Sequence, residues 1–521
     1  MRFYSWQKTC LRAWKNNHFH GIVHVVTGAG KTVMALGAVR LLQKLCPFPI
    51  CVRVVVPTTS LARQWTASMR RFLPDCLSGK QIPGQYGGGR KDRPDRPYMV
   101  YVVNSAREAL SGHVMEDWKN GRGVLLIADE CHHYASEENR KIFRFLESPN
   151  VPKDRYFSLG LSATPQVMGY DSILAPALGK EIYRYGFQEA ANEQMVCPFA
   201  VYQISLSFLA DELAQYNDLS GKLSALQKKL FHAFSFAKEM DQGHFFAFLK
   251  SQAAEDPESL AAVFLNLTMA RSRITYLAAA RSSCVLELIR HLGLSRQILI
   301  FGERIEQAEE VYRSLSRLYP SKAGCYHSAM SPQARSHVLE RFHNGELRIL
   351  VTCRALDEGI DVPAASVGII LSGAAVSRQR IQRLGRILRI SGKKDIACMY
   401  YLYVRESSEE SAFLSQLGEE IPVCGLSYEM GSHSFIYPRY EEAAAAVLEK
   451  ARERGLDAAQ QREMRRCLME GLIRPDWLLP EETVEERIRR AKGRRERNYW
   501  VCVREMGRAS SQSTSPVSIN R

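Results

Sequence analysis

Apolar runs alternate with helix-like stretches through residues 22 to 163 of this chain. The runs IVHVV, CVRVVVP, YMVYVVN, VLLIAD and YFSLGLSA are short and rich in β-branched residues. Such continuous runs are typical of strands in a parallel sheet that helices cover on both faces. Ligands of such sheets bind beyond the carboxyl ends of the strands. The pattern places the following residues at those ends: Gly28, Lys31, Pro57, Asn104, Asp129 and Ser162.

Residues 205 to 290 follow a helical pattern instead. Apolar side chains recur there at three- and four-residue intervals, at Leu213, Tyr216, Leu219, Leu223, Leu226 and Leu230. One apolar stripe of this kind predicts a helix that packs against a core. A wedge or clamp that acts on a ligand is the alternative interpretation.

Past residue 410 the sequence predicts two helical segments, EEAAAAVLEKARERG and AAQQREMRRCLMEGL. An arginine-rich run from Arg487 to Arg497 comes next, and Tyr499 and Trp500 follow it. This run fits a helix that lies along phosphates with an aromatic ring stacking nearby. It fits a partner-binding helix or a solvated helix equally well. The polar end, GRASSQSTSPVSINR, is predicted to be disordered.

Length and charge set the broad class of the protein. A chain of 521 residues suits two to four domains. A net charge of +15 favours a polyanionic partner, of which nucleic acid is the commonest. No apolar run approaches the roughly 18 residues that span a membrane. Thirteen scattered cysteines without a C-x-x-C pair predict a reduced, cytoplasmic setting.

The first apolar run leads into a glycine-rich turn, composed of Thr27, Gly28, Ala29, Gly30, Lys31 and Thr32. Glycines let backbone amides approach phosphate oxygens, and the start of the following helix favours an anion. Lys31 would neutralise the β- and γ-phosphates, and Thr32 would offer its hydroxyl to Mg²⁺. Val25 stands where the strict phosphate-loop pattern has its first glycine. The strand before the turn and the helix after it still favour a nucleotide site.

Two adjacent carboxylates, Asp129 and Glu130, follow the apolar run GVLLIA. In a nucleotide hydrolase such a pair holds Mg²⁺, here through Asp129, and orients the attacking water, here through Glu130. A solvated turn would not explain why an apolar strand delivers the pair. Cys131 and the two histidines after it are not expected to form a zinc site, because three adjacent residues cannot all reach one ion from a strand end.

These segments, in this order, resemble a superfamily-2 helicase or translocase motor. The likeness is to the DExH branch that contains XPB, UvsW and the motor subunits of type I and III restriction enzymes. The matching segments are FYSWQKTCLRAW, VVTGAGKT, VVVPTTSLARQW, YVVNSAR, DECHH, LSATP, QILIFGER, YHSAMS, VTCRALDEGIDVP and QRLGRILR. They cover about residues 1 to 200 and 296 to 405. Each is a weak signal alone, but their joint order is specific.

The resemblance implies roles for further residues. Gln7 would recognise adenine, and Asp361 would approach the nucleotide. Contacts with the nucleic-acid backbone would come from Pro57, Thr58, Thr59, Asn104, Ser105 and Thr352. Arg386 and Arg389 would be arginine fingers from the second α/β unit, since guanidinium groups suit the charge that spreads over the γ-phosphate. ATP binding would then draw two domains together, and hydrolysis would release them.

The predicted fold class is α/β, with two tandem RecA-like parallel-sheet motor domains, a helical insertion and a mostly helical C-terminal extension. The predicted boundaries are 1–204 for the ATP-binding RecA-like domain, 205–295 for the helical insertion and 296–410 for the second RecA-like domain. Residues 411–521 are predicted to form a basic helical extension with a disordered tail.

The predicted function is an ATP-dependent helicase or translocase that uses ATP and Mg²⁺. DNA is favoured over RNA as its partner because of the family branch alone. The alternatives are an RNA helicase with the same ATP site and an ATP-gated nucleic-acid clamp or scaffold. The loop GGGRKDRPDRP, residues 87 to 97, carries four cations against two anions and is either a backbone contact or a solvated loop. The insertion and the extension are candidate surfaces for a protein partner.

Overall fold

Two parallel sheets organise the chain, and each belongs to a separate unit. The computed structural model describes residues 3–26, 28–73, 82–149, 151–186, 189–190, 193, 199–353, 365–372, 396–410, 423–436, 449 and 457–512. Among these residues the first unit ends before Phe199 and the second begins there. The fold class predicted from the sequence, two RecA-like units, is confirmed.

The first unit contains one eight-stranded sheet. Its strands are β1 (Ile22–Val25), β2 (Ile50–Val56), β3 (Gly84–Gly87), β4 (Arg90–Lys91), β5 (Tyr98–Val102), β6 (Gly123–Asp129), β7 (Tyr156–Ser162) and β8 (Glu181–Tyr185). They lie in the order β4-β3-β5-β2-β6-β7-β1-β8. All neighbours are parallel except the pair β3 and β4. The five apolar runs noted in the sequence form β1, β2, β5, β6 and β7, whereas β3, β4 and β8 were not predicted.

Helices cover this sheet. They are α1 (Ser5–Asn16), α2 (Lys31–Leu45), α3 (Thr59–Phe72), α4 (Val103–Lys119) and α5 (Ala175–Leu178). Short 3₁₀ segments lie at Cys131–Ala135, Asn139–Glu147 and Lys153–Arg155, and a π-helical turn lies at Tyr170–Leu174. The helices bury apolar residues at helical spacing, such as Ala62, Trp65 and Met69 on α3, because that spacing puts them on one face.

A charged residue, Arg53, is fully buried in the middle of β2. Its Nε and Nη2 donate to the two carboxylate oxygens of Asp117 on α4, at 2.8 and 2.7 Å. The same guanidinium donates to the backbone oxygens of Arg96 at 2.7 Å and Pro94 at 3.1 Å. The basic loop of residues 87 to 97 is therefore tied to the centre of the sheet.

The second unit contains the other eight-stranded sheet. Its strands are β9 (Phe199–Leu206), β10 (Ile298–Gly302), β11 (Ala323–Tyr326), β12 (Ile349–Cys353), β13 (Val367–Ile370), β14 (Ala397–Val404), β15 (Val423–Glu429) and β16 (Ser434–Ile436). They lie in the order β11-β12-β10-β13-β14-β9-β15-β16, and the pair β15 and β16 is antiparallel. Because β9 pairs with β14 and β15, the predicted boundary at residue 204 falls inside a strand of this second sheet.

Four helices lie between residues 210 and 292, in agreement with the apolar stripe. These helices are α6 (Ala210–Ala233), α7 (Gln242–Glu255), α8 (Leu260–Tyr276) and α9 (Ala279–Leu292), with a 3₁₀ segment at Ser235–Glu239. Tyr216, Leu223, Leu226 and Leu230 of the stripe are buried, whereas its other two leucines are half-buried. The stripe is thus packing surface, and part of it joins phenylalanines of α7 and α8 in a separate small core.

The rest of the second unit completes its sheet and adds a helical layer. Its helices are α10 (Ile305–Leu318), α11 (Pro332–His343), α12 (Ala458–Ile473), α13 (Glu481–Arg490) and α14 (Arg494–Gln512), with a 3₁₀ segment at Asp476–Leu478. The expected mostly helical extension begins instead with β15 and β16, because these strands extend the sheet beyond β9. The predicted disordered tail is helical as far as Gln512. The predicted helix EEAAAAVLEKARERG lies outside the described residues except for Glu449.

The aromatic residues after the arginine run belong to a core. Tyr499 and Trp500 are buried between α12, α13 and α14. The Arg487 guanidinium lies 4.6 Å from the centre of the Trp500 ring, and the Tyr499 hydroxyl donates to Asp476. Neither ring is available to stack on a base, so that part of the sequence-based interpretation is wrong.

The buried Arg53–Asp117 pair yields a stability prediction. In Arg53→Leu the Asp117 carboxylate stays buried without its partner, which costs about 3–5 kcal/mol. Urea unfolding of the full chain measures this loss. Arg122→Leu is the matched control, because Arg122 lies 3.8 Å from the same carboxylate but is one-third exposed. Its loss is expected to stay below about 1 kcal/mol, and equal losses in the two variants would contradict the role of Arg53.

Candidate nucleotide site and nucleic-acid interface

The glycine-rich turn joins β1 to α2. Gly28 and Gly30 have φ angles of 89° and 93°, which favour glycine over any residue with a Cβ atom. Gly30 immediately precedes the first residue of α2, Lys31, so free backbone amides start the helix here. Ala29 is buried, and Thr32 is half-buried in the first turn. Thr27 lies outside the described residues.

Gln7 on α1 contacts this turn. Its Nε2 donates to the Gly30 oxygen at 3.2 Å, and its Oε1 accepts from the Tyr4 amide at 3.0 Å. The side chain therefore links α1 to the glycine-rich turn. Its predicted role in adenine recognition stays a prediction.

Lys31 and Glu130 meet at the centre of the site. The Lys31 Nζ lies 3.7 Å from the Glu130 Oε1. Both side chains are mostly buried, yet among the described residues the ammonium and the Glu130 Oε2 have no hydrogen-bond partner. The buried Thr164 hydroxyl lacks one as well. Buried polar atoms are nearly always hydrogen-bonded, so this group of atoms fits a polar ligand such as a phosphate with its metal ion.

Asp129 ends β6 beside this pair and is only 6% exposed. Its Oδ2 accepts a hydrogen bond from the Trp65 Nε1 at 2.7 Å, and its Oδ1 accepts from the Glu130 amide at 3.1 Å. Burial and the neighbouring Glu130 raise the pKa of Asp129 to about 6, although Lys31 and the Trp65 hydrogen bond act in the opposite direction. The site thus holds a carboxylate whose negative charge needs a further cation.

A chain of polar contacts runs from Glu130 to the end of β7. Glu130 itself has a φ angle of 48°, rare for a residue with a side chain and often found at functional sites. Its Oε2 lies 3.6 Å from the His132 Nδ1, and that nitrogen is 2.9 Å from the Ser162 hydroxyl. The Ser162 oxygen also accepts from the Thr164 amide at 3.0 Å. These contacts bring the predicted DECHH and LSATP segments together.

The residues predicted to contact nucleic acid in the first unit also lie together. They follow β2 and β5, which are adjacent parallel strands, and are Pro57, Thr58, Thr59, Asn104 and Ser105. The Thr58 hydroxyl accepts from the Leu61 amide and so caps α3. Asn104 is exposed, and the others are half-buried.

A glycine tip covers part of this edge. Gly87, Gly88 and Gly89, at the turn between β3 and β4, all have positive φ angles. A Cβ atom on Gly87 would lie 2.8 Å from the Ser105 hydroxyl, and one on Gly88 would lie 2.5 Å from that of Thr59. The tip can therefore approach both hydroxyls only because it has no side chains. It carries the exposed Arg90 and Lys91 to the same edge.

The structure does not gather every predicted residue. Thr352 is the next-to-last residue of β12 in the second unit, but it is 1% exposed and its hydroxyl has no hydrogen-bond partner among the described residues. Asp361, Arg386 and Arg389 lie outside the described residues. Their predicted roles stay predictions.

Trp65 is a site residue that sequence reasoning missed. It shares the buried face of α3 with Ala62 and Met69, and such a spacing indicates core packing alone. Its hydrogen bond to Asp129 joins residues 64 positions apart, and no local pattern signals such a contact.

Two features are absent from the described part of the chain, a ready-made metal centre and a membrane-spanning helix. No group of three or more His, Cys, Asp and Glu side chains there is arranged to hold a metal ion. A Mg²⁺ ion at Asp129 would therefore need phosphate oxygens and water as additional ligands, as is usual for Mg²⁺. None of the helices described has both the length and the apolar character to cross a membrane.

Known families match both halves of the chain. Residues 1–167 match the model described as "Type III restriction enzyme, res subunit", and residues 280–391 match "Helicase conserved C-terminal domain". The helicase domain of Hef from Pyrococcus furiosus is similar in structure, with a TM-score of 0.50 and 17% identity. It covers 79% of this chain and 98% of that one, and it shows the fold alone.

Two curated relatives are similar in sequence over about three quarters of this chain. The DNA 3'-5' translocase XPB2 of Sulfurisphaera tokodaii is 28% identical over 75% of this chain and 79% of its own length. The DNA 3'-5' helicase XPB of Mycobacterium tuberculosis is 31% identical over 74% of this chain and 58% of its own. The chain spans about half the length of some other curated relatives that it matches.

The protein has two RecA-like sheets, which is the architecture of helicase-type proteins. The first sheet carries the glycine-rich turn beside Lys31, Asp129 and Glu130. The two matching family models and the XPB relatives support a superfamily-2 helicase of the XPB and restriction-motor type. The family resemblance predicted from the sequence is thereby confirmed.

The raised pKa of Asp129 predicts a pH dependence. In the folded protein this carboxyl keeps its proton up to about pH 6, against an ordinary pKa of 3.8. The folded protein favours the protonated carboxyl, so the contribution of Asp129 to the free energy of unfolding is complete below about pH 4. This contribution is lost as the pH rises through about 6. Asp129→Asn retains an acceptor for Trp65 but carries no charge. Without nucleotide and in EDTA, its melting temperature should exceed that of the wild type at pH 8, by a margin that shrinks towards pH 5.

Thermal melts of both proteins between pH 5 and 8 measure this margin. Asp154→Asn is the control, because the Asp154 side chain is 76% exposed and should show no such trend. A margin for Asp129→Asn that does not vary with pH would contradict the assignment.

Proposed function

We propose that this chain hydrolyses ATP with Mg²⁺ and uses the reaction to move along DNA. The observation that carries the proposal is the group of buried, unsatisfied polar atoms of Lys31, Glu130 and Thr164 beside the glycine-rich turn. Such a group fits the charge of a triphosphate better than it fits a structural role, since a stable core rarely leaves an ammonium without hydrogen bonds.

Each side chain of the site has a distinct task in this reaction. The amides after Gly28 and Gly30 bind phosphate oxygens, and Lys31 neutralises the terminal phosphates. Thr32 and Asp129 hold Mg²⁺, which when bound shields the negative charge on the phosphates. Glu130 orients the attacking water and accepts its proton.

The edge formed by β2 and β5 is the proposed nucleic-acid contact. Thr59, Ser105 and the glycine tip offer hydroxyls and backbone amides, and Arg90 and Lys91 add positive charge. Groups of this kind bind the phosphate backbone and carry no sequence information. Asn104 and the first turn of α3 complete the contact.

DNA is the proposed partner because of the relatives. Both XPB proteins compared above are described as acting on DNA in the 3'-5' sense. The net charge of +15 supports a nucleic acid but does not favour DNA over RNA. The net charge and the ATP site therefore fit a motor on DNA and a motor on RNA equally well.

Several parts of the proposal rest on the family resemblance. Arg386 and Arg389 complete the ATP site, Asp361 contacts the nucleotide and Thr352 contacts the nucleic-acid backbone. The helical insertion and the C-terminal helices are the proposed surfaces for a protein partner. The free thiols of the described cysteines support a reducing, cytoplasmic setting.

Stimulation of ATP hydrolysis by defined polymers tests the proposed partner. Duplex and single-stranded DNA are expected to raise the rate well above that with RNA or a hybrid, because the two XPB relatives are a DNA translocase and a DNA helicase. Strand-displacement assays with the same polymers then separate the activities. Greater stimulation by RNA would favour the RNA helicase, and hydrolysis without displacement or directional movement would favour the clamp.

Removal of the ammonium tests the ATP site. Lys31→Ala should lower ATP turnover by about 100-fold or more, since it deletes the main group that stabilises phosphate charge. Binding of labelled DNA and its salt dependence should stay close to those of the wild type. Lys44→Ala, at the exposed last turn of the same helix, is the matched control and should retain turnover. Unchanged hydrolysis in Lys31→Ala would exclude this site.

A further inference from the structure

One helix connects the two proposed sites of the first unit. Helix α3 begins at Thr59, on the edge proposed to contact nucleic acid, and six residues later it carries Trp65. Six helical residues span about 9 Å along the axis, or somewhat less than two turns. The helix is therefore a short, rigid connection between Thr59 and the Asp129 carboxylate that Trp65 contacts.

Both ends of this connection are tightly packed. At the first turn, the Gly88 backbone is so close to Thr59 that even a methyl group between them would clash. At the other end, the Trp65 side chain is 1% exposed, and its Nε1 lies 2.7 Å from the Asp129 Oδ2. Neither contact has empty space around it, so a displacement of α3 at the nucleic-acid edge must also move the residues that it touches.

The hydrogen bond also decides which atoms of Asp129 remain for a metal ion. Trp65 occupies one lone pair of Oδ2, and the Glu130 amide occupies one of Oδ1. An indole N–H donates in one fixed direction, so it sets the rotation of the carboxylate. If the donor moves, the carboxylate must turn with it or lose a hydrogen bond in a buried place, which is unfavourable.

We propose that Trp65 is a positioning residue that couples nucleic-acid binding to Mg-nucleotide binding through its hydrogen bond to Asp129. The inference rests on the proposed function and names the residue that transmits the coupling within the first unit. Trp65 itself touches neither ligand. Coupling between two ligands is reciprocal and is measured as the factor by which one changes the affinity for the other.

Trp65→Phe tests the proposal, because it keeps an aromatic ring in the core and removes the donor. The full chain is titrated onto labelled DNA by fluorescence anisotropy, with and without a non-hydrolysable ATP analogue and Mg²⁺. In the wild type the two dissociation constants should differ by a factor within the common range of about 5 to 150. In Trp65→Phe this factor should fall to within about twofold of one, while the DNA affinity without nucleotide stays within about threefold of that of the wild type.

Trp14→Phe is the matched control. Trp14 is equally buried in the first unit and loses a comparable hydrogen bond, from its Nε1 to the Ser158 oxygen at 2.9 Å, away from Asp129. It should therefore retain the wild-type coupling factor. Trp65→His, whose ring Nε2–H lies at the equivalent position of the side chain, should restore most of the coupling.

The outcomes separate this inference from the proposed function. A wild-type chain that binds DNA equally with and without the analogue contradicts both. If the wild type shows coupling and Trp65→Phe keeps the same coupling factor, only the role of Trp65 is overturned. The same holds if Trp14→Phe loses as much coupling as Trp65→Phe.

A second measurement applies if Trp65→Phe does not fold. The indole N–H resonance of Trp65, assigned by its loss in Trp65→His, should shift when DNA binds the wild-type chain without nucleotide. The Trp14 resonance should not shift. A stationary Trp65 resonance would overturn the proposal.

Discussion

The first unit depends on a carboxylate held out of water, that of Asp129 at the end of an entirely buried strand. Burial alone favours its neutral form and raises its pKa. Trp65, the Glu130 amide and Lys31 each favour the charged form instead. These opposing effects leave a negative charge that its protein partners only partly satisfy, and a divalent cation on a phosphate can supply the remainder.

The order of strands explains why two sites lie on one edge of this sheet. The proposed nucleotide-binding segments follow β1, β6 and β7, and the proposed nucleic-acid contacts follow β2 and β5. Since β2 and β6 are parallel neighbours, their carboxyl ends open on the same edge. The helix that leaves β2 must then pass close to the residue that ends β6, and α3 does so through Trp65.

Sequence reasoning located two site segments correctly because their signal is local, and their roles in binding and catalysis stay predictions. The glycine-rich turn and the pair at Asp129 and Glu130 are short polar segments at the ends of apolar strands, and they could be recognised without any knowledge of distant contacts. The Arg53–Asp117 pair and the Trp65 hydrogen bond each join residues 64 positions apart. Periodicity marks such residues only as loop, strand or core, because it carries no information on which faces will meet.

The same limit applies to the second unit, where composition suggested a free basic helix. The rings of Tyr202 and Tyr400 stack on each other, and their hydroxyls donate to the last carbonyls of α12, at Leu472 and Ile473. The Arg296 guanidinium reaches Asp476, which also accepts from Tyr499. The C-terminal helices are therefore a layer of this unit.

This attachment restricts what the arginine run can do. Its aromatic neighbours serve the core, so any nucleic-acid contact from exposed side chains such as Arg494 and Arg497 would depend on charge alone. Contacts of that kind weaken steeply as salt rises. They could add affinity for any polyanion but could not, without a stacking ring or a base-reading group, select one nucleic acid over another.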